Sequence, residues 1–402
     1  MESIYKLKRI NPIAKVLIIV VIGLIIFYLL SSLFYSQATA KRGYDSDLKE
    51  HIKYAIADKG YSALYSFMGK LYEMFESVIC IVILEALMVI ATWLLTAKFI
   101  TMVAKETDFF MGALFALPIV FLCAIAVPIL YPKFYSGQLV TQPYHNITFY
   151  GMRLFALIAM MCLYKVFDNY LHKIKPAYWI AIALSLALST SVKPSFFYGF
   201  ALTLLIFLII DFFKSIFKKE FKLGTLGHII LMGVVVFPSL YIMAKQVIHL
   251  FGPKEVARAA SQSSGIAIAW GKPFLKAGIY TNVARLVCGM TFPMLVAFNN
   301  RKKQSRFENF SYLMFFVQIL VFAMLTETGK RANHGNFYWG VYSAGFFAFL
   351  AAVPRFLDNV RTFKEDRSKK GYLIAGFILL IAHMICSIMY FAIVQRGYSY
   401  LI

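Results

Sequence analysis

The stretch Lys41-Arg42-Gly43-Tyr44-Asp45-Ser46-Asp47-Leu48-Lys49-Glu50-His51-Ile52 holds groups able to move a proton. Asp47 and His51 are four residues apart, so a helix that begins near Ser46 places both on one face and lets them act on one substrate group. A carboxylate beside an imidazole is suited to take the proton of an incoming hydroxyl. Spacing leaves both Asp45 and Asp47 open as that base, and Asp45 or Ser46 can instead cap the helix.

Three other clusters carry candidate binding groups. His145-Asn146-Ile147-Thr148 stands before an apolar run with Arg153 near its start. An arginine at that depth is costly unless it is paired or reaches the interface, which makes Arg153 a candidate for substrate binding alongside His145, with snorkelling to headgroups as the plain alternative. Asn146-Ile147-Thr148 also matches a glycosylation acceptor, a common triplet that carries no weight here. In Thr190-Ser191-Val192-Lys193-Pro194-Ser195, Lys193 offers a point charge to a phosphate, and Pro194 at a helix start leaves free backbone donors pointing outward. An interfacial turn with a snorkelling lysine has the same composition.

The densest cluster runs from Glu327 to Trp339. Lys330 and Arg331 can hold a diphosphate, the arginine by a bidentate fork. Asn333, His334 and Asn336 can bond sugar hydroxyls, and Tyr338 or Trp339 can stack on a sugar face or sit in the aromatic belt of a membrane protein. A polar loop flanked by belt aromatics is the ordinary reading.

The elements that must position these groups are set by composition. Of 402 residues, 60% are hydrophobic, 17% aromatic and 15% charged, which is too apolar for soluble domains and excludes disorder and coiled coil. An all-α polytopic membrane protein is expected, a single transmembrane domain over residues 1–402. Eleven windows have the length and apolarity of spans, at 16–36, 77–98, 109–130, 148–165, 177–192, 195–213, 225–244, 276–298, 310–326, 338–354 and 371–394. Residues 1–36 can also be read as a signal peptide, with Ala38-Thr39-Ala40 as a cleavage site, but the run from Val16 to Leu33 is longer than such a segment needs.

The 41 Lys and Arg exceed the 19 Asp and Glu by 22 charges. They fall between apolar runs, where they set orientation and meet phosphates, so no nucleic-acid partner is expected. With the N-terminus inside, inner segments hold 23 of them and outer segments 16, the bias of an inside-first protein. Residues 37–76, 131–147, 245–275 and 326–337 then lie outside and gather over a cavity, with 245–275 a candidate lid. Cys80, Cys123, Cys162, Cys288 and Cys386 all sit in apolar runs and read as packing residues. No HExxH, DxD or phosphate-binding glycine loop occurs, so no metal and no cofactor is expected, although Asp45, Asp47 and Glu327 can recruit an ion.

An acidic motif opening the first outer loop, inside-first orientation and basic outer loops together resemble the GT-C class of membrane glycosyltransferases. The Tyr44-to-His51 stretch also resembles bacterial membrane proteins of cell-surface polysaccharide clusters. The resemblance implies a sugar donor on polyprenyl phosphate or diphosphate, and a loop Asp or Glu after the first helix as catalytic base. It also implies a cation for the departing phosphate where no metal serves. Asp47 would be the base, with His51 or Asp45 orienting it. Arg153, Lys193, Lys330 and Arg331 would meet the phosphate, and His145, His334 and Asn336 the substrate. The acceptor would be a glycan or glycolipid hydroxyl at the outer face of a bacterial cytoplasmic membrane, with membrane lipids as partners. A repeat-unit polymerase and a lipid-linked-glycan flippase are the alternatives, the latter using Glu85, Arg153 and Arg285 within the spans.

Overall fold

A computed structural model describes residues 10–40, 44, 46–57, 61–127, 144–219, 221–251, 265–271, 278–329, 336–364 and 369–397. The described residues are mostly helical: α1 (Pro12–Thr39), α2 (Leu48–Ile56), α3 (Ala63–Phe75), α4 (Ile79–Val103), α5 (Phe109–Val120), α6 (Ile147–Val166), α7 (Pro176–Val192), α8 (Ser195–Phe217), α9 (Leu223–Val234), α10 (Phe237–Phe251), α11 (Ile279–Asn299), α12 (Arg306–Met324), α13 (Tyr338–Arg361) and α14 (Lys370–Gln395). Two three-residue strands, β1 (Ile266–Ile268) and β2 (Leu325–Glu327), pair antiparallel. Each of the eleven sequence windows contains a helix. Among the described residues nine segments are long and apolar enough to cross a membrane, with α9 and α10 counted as one; α5 and α7 are apolar but shorter.

Local capping signals start several of these helices. Asn11 accepts the Ile13 N–H with Pro12 at the first helical position of α1. Asp108 caps α5 through the Met111 N–H, and Ser305 with Glu308 forms a reciprocal capping box on α12. Pro194 divides α7 from α8, and Pro238 follows the break between α9 and α10.

The bundle is organised around α13, whose most apolar stretch is 89% buried. Gly340, Ala344, Gly345, Ala348, Ala351 and Ala352 make it narrow, so α4, α5, α8, α11, α12 and α14 can all reach it. In contrast α1 has few fully buried residues along its apolar length: Ile19, Ile22, Ile26 and Phe27 pack on the core, while Leu17, Val21, Leu24 and Tyr28 are exposed, as expected of a helix at the bundle's edge with one side toward lipid.

The window 109–130 departs from a continuous span. The helix α5 ends two residues after Pro118, and residues 122–127 leave helical geometry inside the bundle. Non-helical backbone is tolerated there only where its polar groups find partners, and four of them bond to neighbouring helices. Cys123 N–H donates to Ser387 Oγ (2.9 Å), Ile125 N–H to Cys288 O (2.9 Å) and Ala126 N–H to Cys386 Sγ (3.4 Å). The Cys123 carbonyl accepts from His383 Nδ1 at 2.7 Å, which fixes the imidazole with its proton on Nδ1 and Nε2 facing Thr291 Oγ1 (3.2 Å).

One end of the bundle is tied by ion pairs. Asp211 bonds both Arg306 and Tyr170, and Arg355 grips Glu308 with two bonds of 2.8 and 2.6 Å. Lys15 pairs with Asp108 at 2.6 Å. The opposite end carries Asp47. All five cysteines are free thiols.

Candidate functional site

Asp47 occupies the N-cap position of α2, yet its side chain makes no cap bond. Ser46 takes that role, its Oγ accepting the Leu48 N–H at 3.2 Å. The Asp47 carboxylate is instead held from the side: Oδ2 accepts from Asn146 Nδ2 at 3.0 Å, across 99 residues of sequence. The Asp47 backbone N–H donates to His145 O at 3.0 Å. Gln37, near the end of α1, completes the seat by donating to Tyr144 O (2.8 Å) and accepting from Ser46 Oγ (3.2 Å). Asp47 itself stays exposed.

Asn146 is the hub. Its Oδ1 accepts from the Phe149 N–H (3.2 Å), capping α6, and from Thr148 Oγ1 (2.6 Å). Because a backbone N–H can only donate, Oδ1 must face α6 and the NH2 must face Asp47, which settles the amide orientation chemically. The same Oδ1 accepts from Lys193 Nζ at 3.4 Å. One side-chain amide thus joins an exposed carboxylate to a buried ammonium.

Lys193 is 5% exposed, in the elbow between α7 and α8. It also donates to Thr148 Oγ1 (3.5 Å) and lies 4.1 Å from the centroid of the Trp339 ring, a cation–π contact that compensates part of the lost hydration. The elbow is anchored on both sides: Ser62 donates to Val192 O (2.8 Å), and Gln246 donates to Thr190 O (2.9 Å) and Ser191 O (3.1 Å). Trp339 further packs on His145, with ring centroids 5.2 Å apart.

His51 is buried beside this group, its ring 5.2 Å from that of Tyr65. What joins it to Asp47 is the helical bond from His51 N–H to Asp47 O (2.9 Å); among the described residues its Nδ1 has no hydrogen-bond partner. Burial pushes the imidazole down from 6.5 to about 4, with Asp47 pulling the other way and Lys193 and His145 adding to the fall. The ring is therefore neutral near pH 7, and its influence on Asp47 is through space and helix geometry.

The structure brings Asp47, His51, His145 and Lys193 together at one end of the bundle. Arg153 is placed elsewhere, about two helical turns along α6 from Asn146. It is fully buried between the rings of Phe149 (5.5 Å) and Phe346 (5.2 Å), and donates to Val120 O at 3.4 Å. A cation at the C-terminal carbonyl of α5 is favoured by the helix dipole, and the full burial of Arg153 shows that it does not snorkel. Asn336 commits its amide to Glu327, Nδ2 to Oε2 at 2.6 Å, next to the cluster through the turn that leads to Trp339. Asp45, Lys330, Arg331, Asn333 and His334 lie outside the described residues.

Asn146 and Trp339 are the members that sequence reasoning undervalues. An Asn just before an apolar run, with Thr two residues on, is a helix-start signal, but nothing local indicates that its amide reaches Asp47. Among the described residues no three His, Cys, Asp or Glu side chains gather as a metal site. Comparison with protein-family models, with curated proteins and with solved structures finds no match to this chain.

Proposed function

We propose that the chain is a membrane glycosyltransferase of GT-C type, crossing the membrane eleven times with its N-terminus inside. It moves a sugar from a polyprenyl-phosphate carrier to a glycan or glycolipid hydroxyl at the outer face. The observation that carries this reading is the Asn146 bridge, which sets a solvent-facing carboxylate and a buried cation a single amide apart. Asp47 takes the acceptor hydroxyl proton as the oxygen attacks the anomeric carbon. The bond from that carbon to the phosphate oxygen breaks, and the electron pair leaves with the phosphate. Lys193 opposes the charge that develops there, and attack opposite the leaving group inverts the anomeric centre. Base catalysis of this kind contributes about 10²–10⁴-fold, and fixed charge complementary to a leaving group adds a comparable factor. His145, half-buried and packed on the Trp339 ring that carries Lys193, offers ring surface to a sugar beside the same cation. Supplying reconstituted protein with a panel of labelled polyprenyl-phosphate sugars, and looking for acceptor-linked product that Asp47→Asn fails to make, tests the reading.

A flippase for lipid-linked glycans is the second reading, favoured by two features of the bundle interior. The helix α5 is broken within it, and interrupted helices mark the binding sites of many transporters. Glu85 on α4 is fully buried, and neither carboxyl oxygen has a hydrogen-bond partner among the described residues. An intramembrane acid so costly is retained for function by default. Glu85→Gln separates the readings: a flippase loses lipid-linked glycan movement, whereas a transferase keeps its product.

A further inference from the structure

The β1–β2 ribbon carries an apolar stripe that the proposed chemistry does not use. Ile266, Ile268 and Trp270 are 44%, 70% and 71% exposed, while Ala267 and Ala269 between them are partly covered. Side chains alternate along a strand, so Ile266 and Ile268 share a face, and Trp270, in the turn that follows, is exposed as they are. The ribbon is continuous with the bundle, since α12 passes into β2 with no intervening loop. The pairing also extends beyond the strands: Ala269 N–H donates to Met324 O (2.8 Å) and Gly271 N–H to Ala323 O (2.9 Å). Residues 269–271 therefore lie against the last turn of α12.

That contact sets the depth. The 19 residues of α12 measure about 28 Å at 1.5 Å each, close to the ~30 Å thickness of a hydrocarbon core, so the last turn stands at the edge of the core. Exposed apolar surface leads up to it, through Phe316 and Leu320 on α12 and Ile279 and Tyr280 at the start of α11. The stripe continues this lipid-facing band outward. A two-stranded ribbon keeps an unpaired backbone edge that hydrocarbon does not accept, and the Trp ring prefers the headgroup boundary. Both place the ribbon at the interface and no deeper.

We propose that Ile266, Ile268 and Trp270 seat in the interfacial layer of the leaflet on the Asp47 side. Residues 265–271 are then a strap held by lipid, in place of a lid that swings over the site. The strap pins β2, and with it Glu327, the partner of Asn336. Its seating is independent of which reaction the Asp47 cluster performs.

The test uses the full chain in vesicles of phosphatidylcholine brominated either near the headgroup or near the chain end. Subtracting the emission of Trp270→Phe from wild type isolates Trp270. Its emission is expected to be shifted to the blue of tryptophan in water, quenched more by the shallow bromines than by the deep ones, and quenched weakly by aqueous iodide. Emission at the water position with strong iodide quenching overturns the proposal, because the strap then stands in solvent. Blue-shifted emission untouched by either brominated lipid overturns it too, because protein then covers the stripe. If Trp270→Phe fails to fold, Ile268→Trp gives the same readout against wild type.

Discussion

Asn146 donates to the Asp47 carboxylate at 3.0 Å while its own oxygen accepts from Lys193 and from the first turn of α6. A residue that caps a helix and bridges two charges has separable duties, and substitutions can separate them. Asn146→Ala removes both, so a loss of about 1 kcal/mol from the cap should accompany a fall in product formation of about 100-fold from misplacement of the base. Asn146→Asp keeps a good cap and sets a second carboxylate against Asp47. Its thermal midpoint should stay near wild type while product formation falls, as thermal melts and initial rates on the same preparations will show.

Lys193 is expected to act through its charge. Lys193→Met retains an unbranched chain over the Trp339 ring but no cation, and should lower turnover by about 10²–10³-fold, the range seen when a group that stabilises developing charge is removed. Lys193→Arg keeps the charge and should recover part of the rate. Equal losses in the two variants would point to packing as the role of this residue.

Stability should depend on pH through His51. Its folded pKa lies near 4, below the ordinary 6.5, so the unfolded chain binds the proton more tightly. The associated stability is fully present above about pH 6.5 and is lost as pH falls toward 4, amounting to about 3 kcal/mol. Thermal midpoints of wild type should fall over that window, and His51→Gln should flatten the slope.

Gln318 is buried at the meeting of α8, α12 and α13, where its amide donates to Ser195 O at 2.8 Å and occupies the space beside Gly199 and Gly340. A Cβ at either glycine would run into that amide, which cannot withdraw without losing its bond. Gly340→Ala should therefore destabilise by about 1–3 kcal/mol, and Gln318→Ala should relieve the clash in the double variant. A double-mutant cycle of melting temperatures checks the coupling.

Much of the bundle is legible in the sequence because hydropathy is a local property. Runs such as Val16 to Leu33 on α1 and Leu373 to Ala382 on α14 declare themselves by their uniform apolarity, and Lys193-Pro194 marks the α7–α8 elbow by the chemistry of proline. The break in α5 is hidden, since residues 109–130 are almost uniformly apolar, and Pro118 is its clearest local warning. Spacing places Asp47 at the start of the short helix that carries His51, but its distant partners, Asn146 and His145, come from the start of α6. The basic residues near helix ends illustrate the same limit. Arg306 and Arg355 read as topology signals, yet each closes an ion pair with a distant acid, Asp211 and Glu308.

The role of Asp47 as the base of a sugar transfer is tested most directly by measuring donor binding and product formation separately in lipid-reconstituted wild type and Asp47→Asn, across a panel of polyprenyl-phosphate sugars. The expected result is a folded Asp47→Asn protein that still binds the donor used by wild type and forms no product above background. Wild-type rates in Asp47→Asn, or no transfer by wild type from any donor of the panel, would contradict that role.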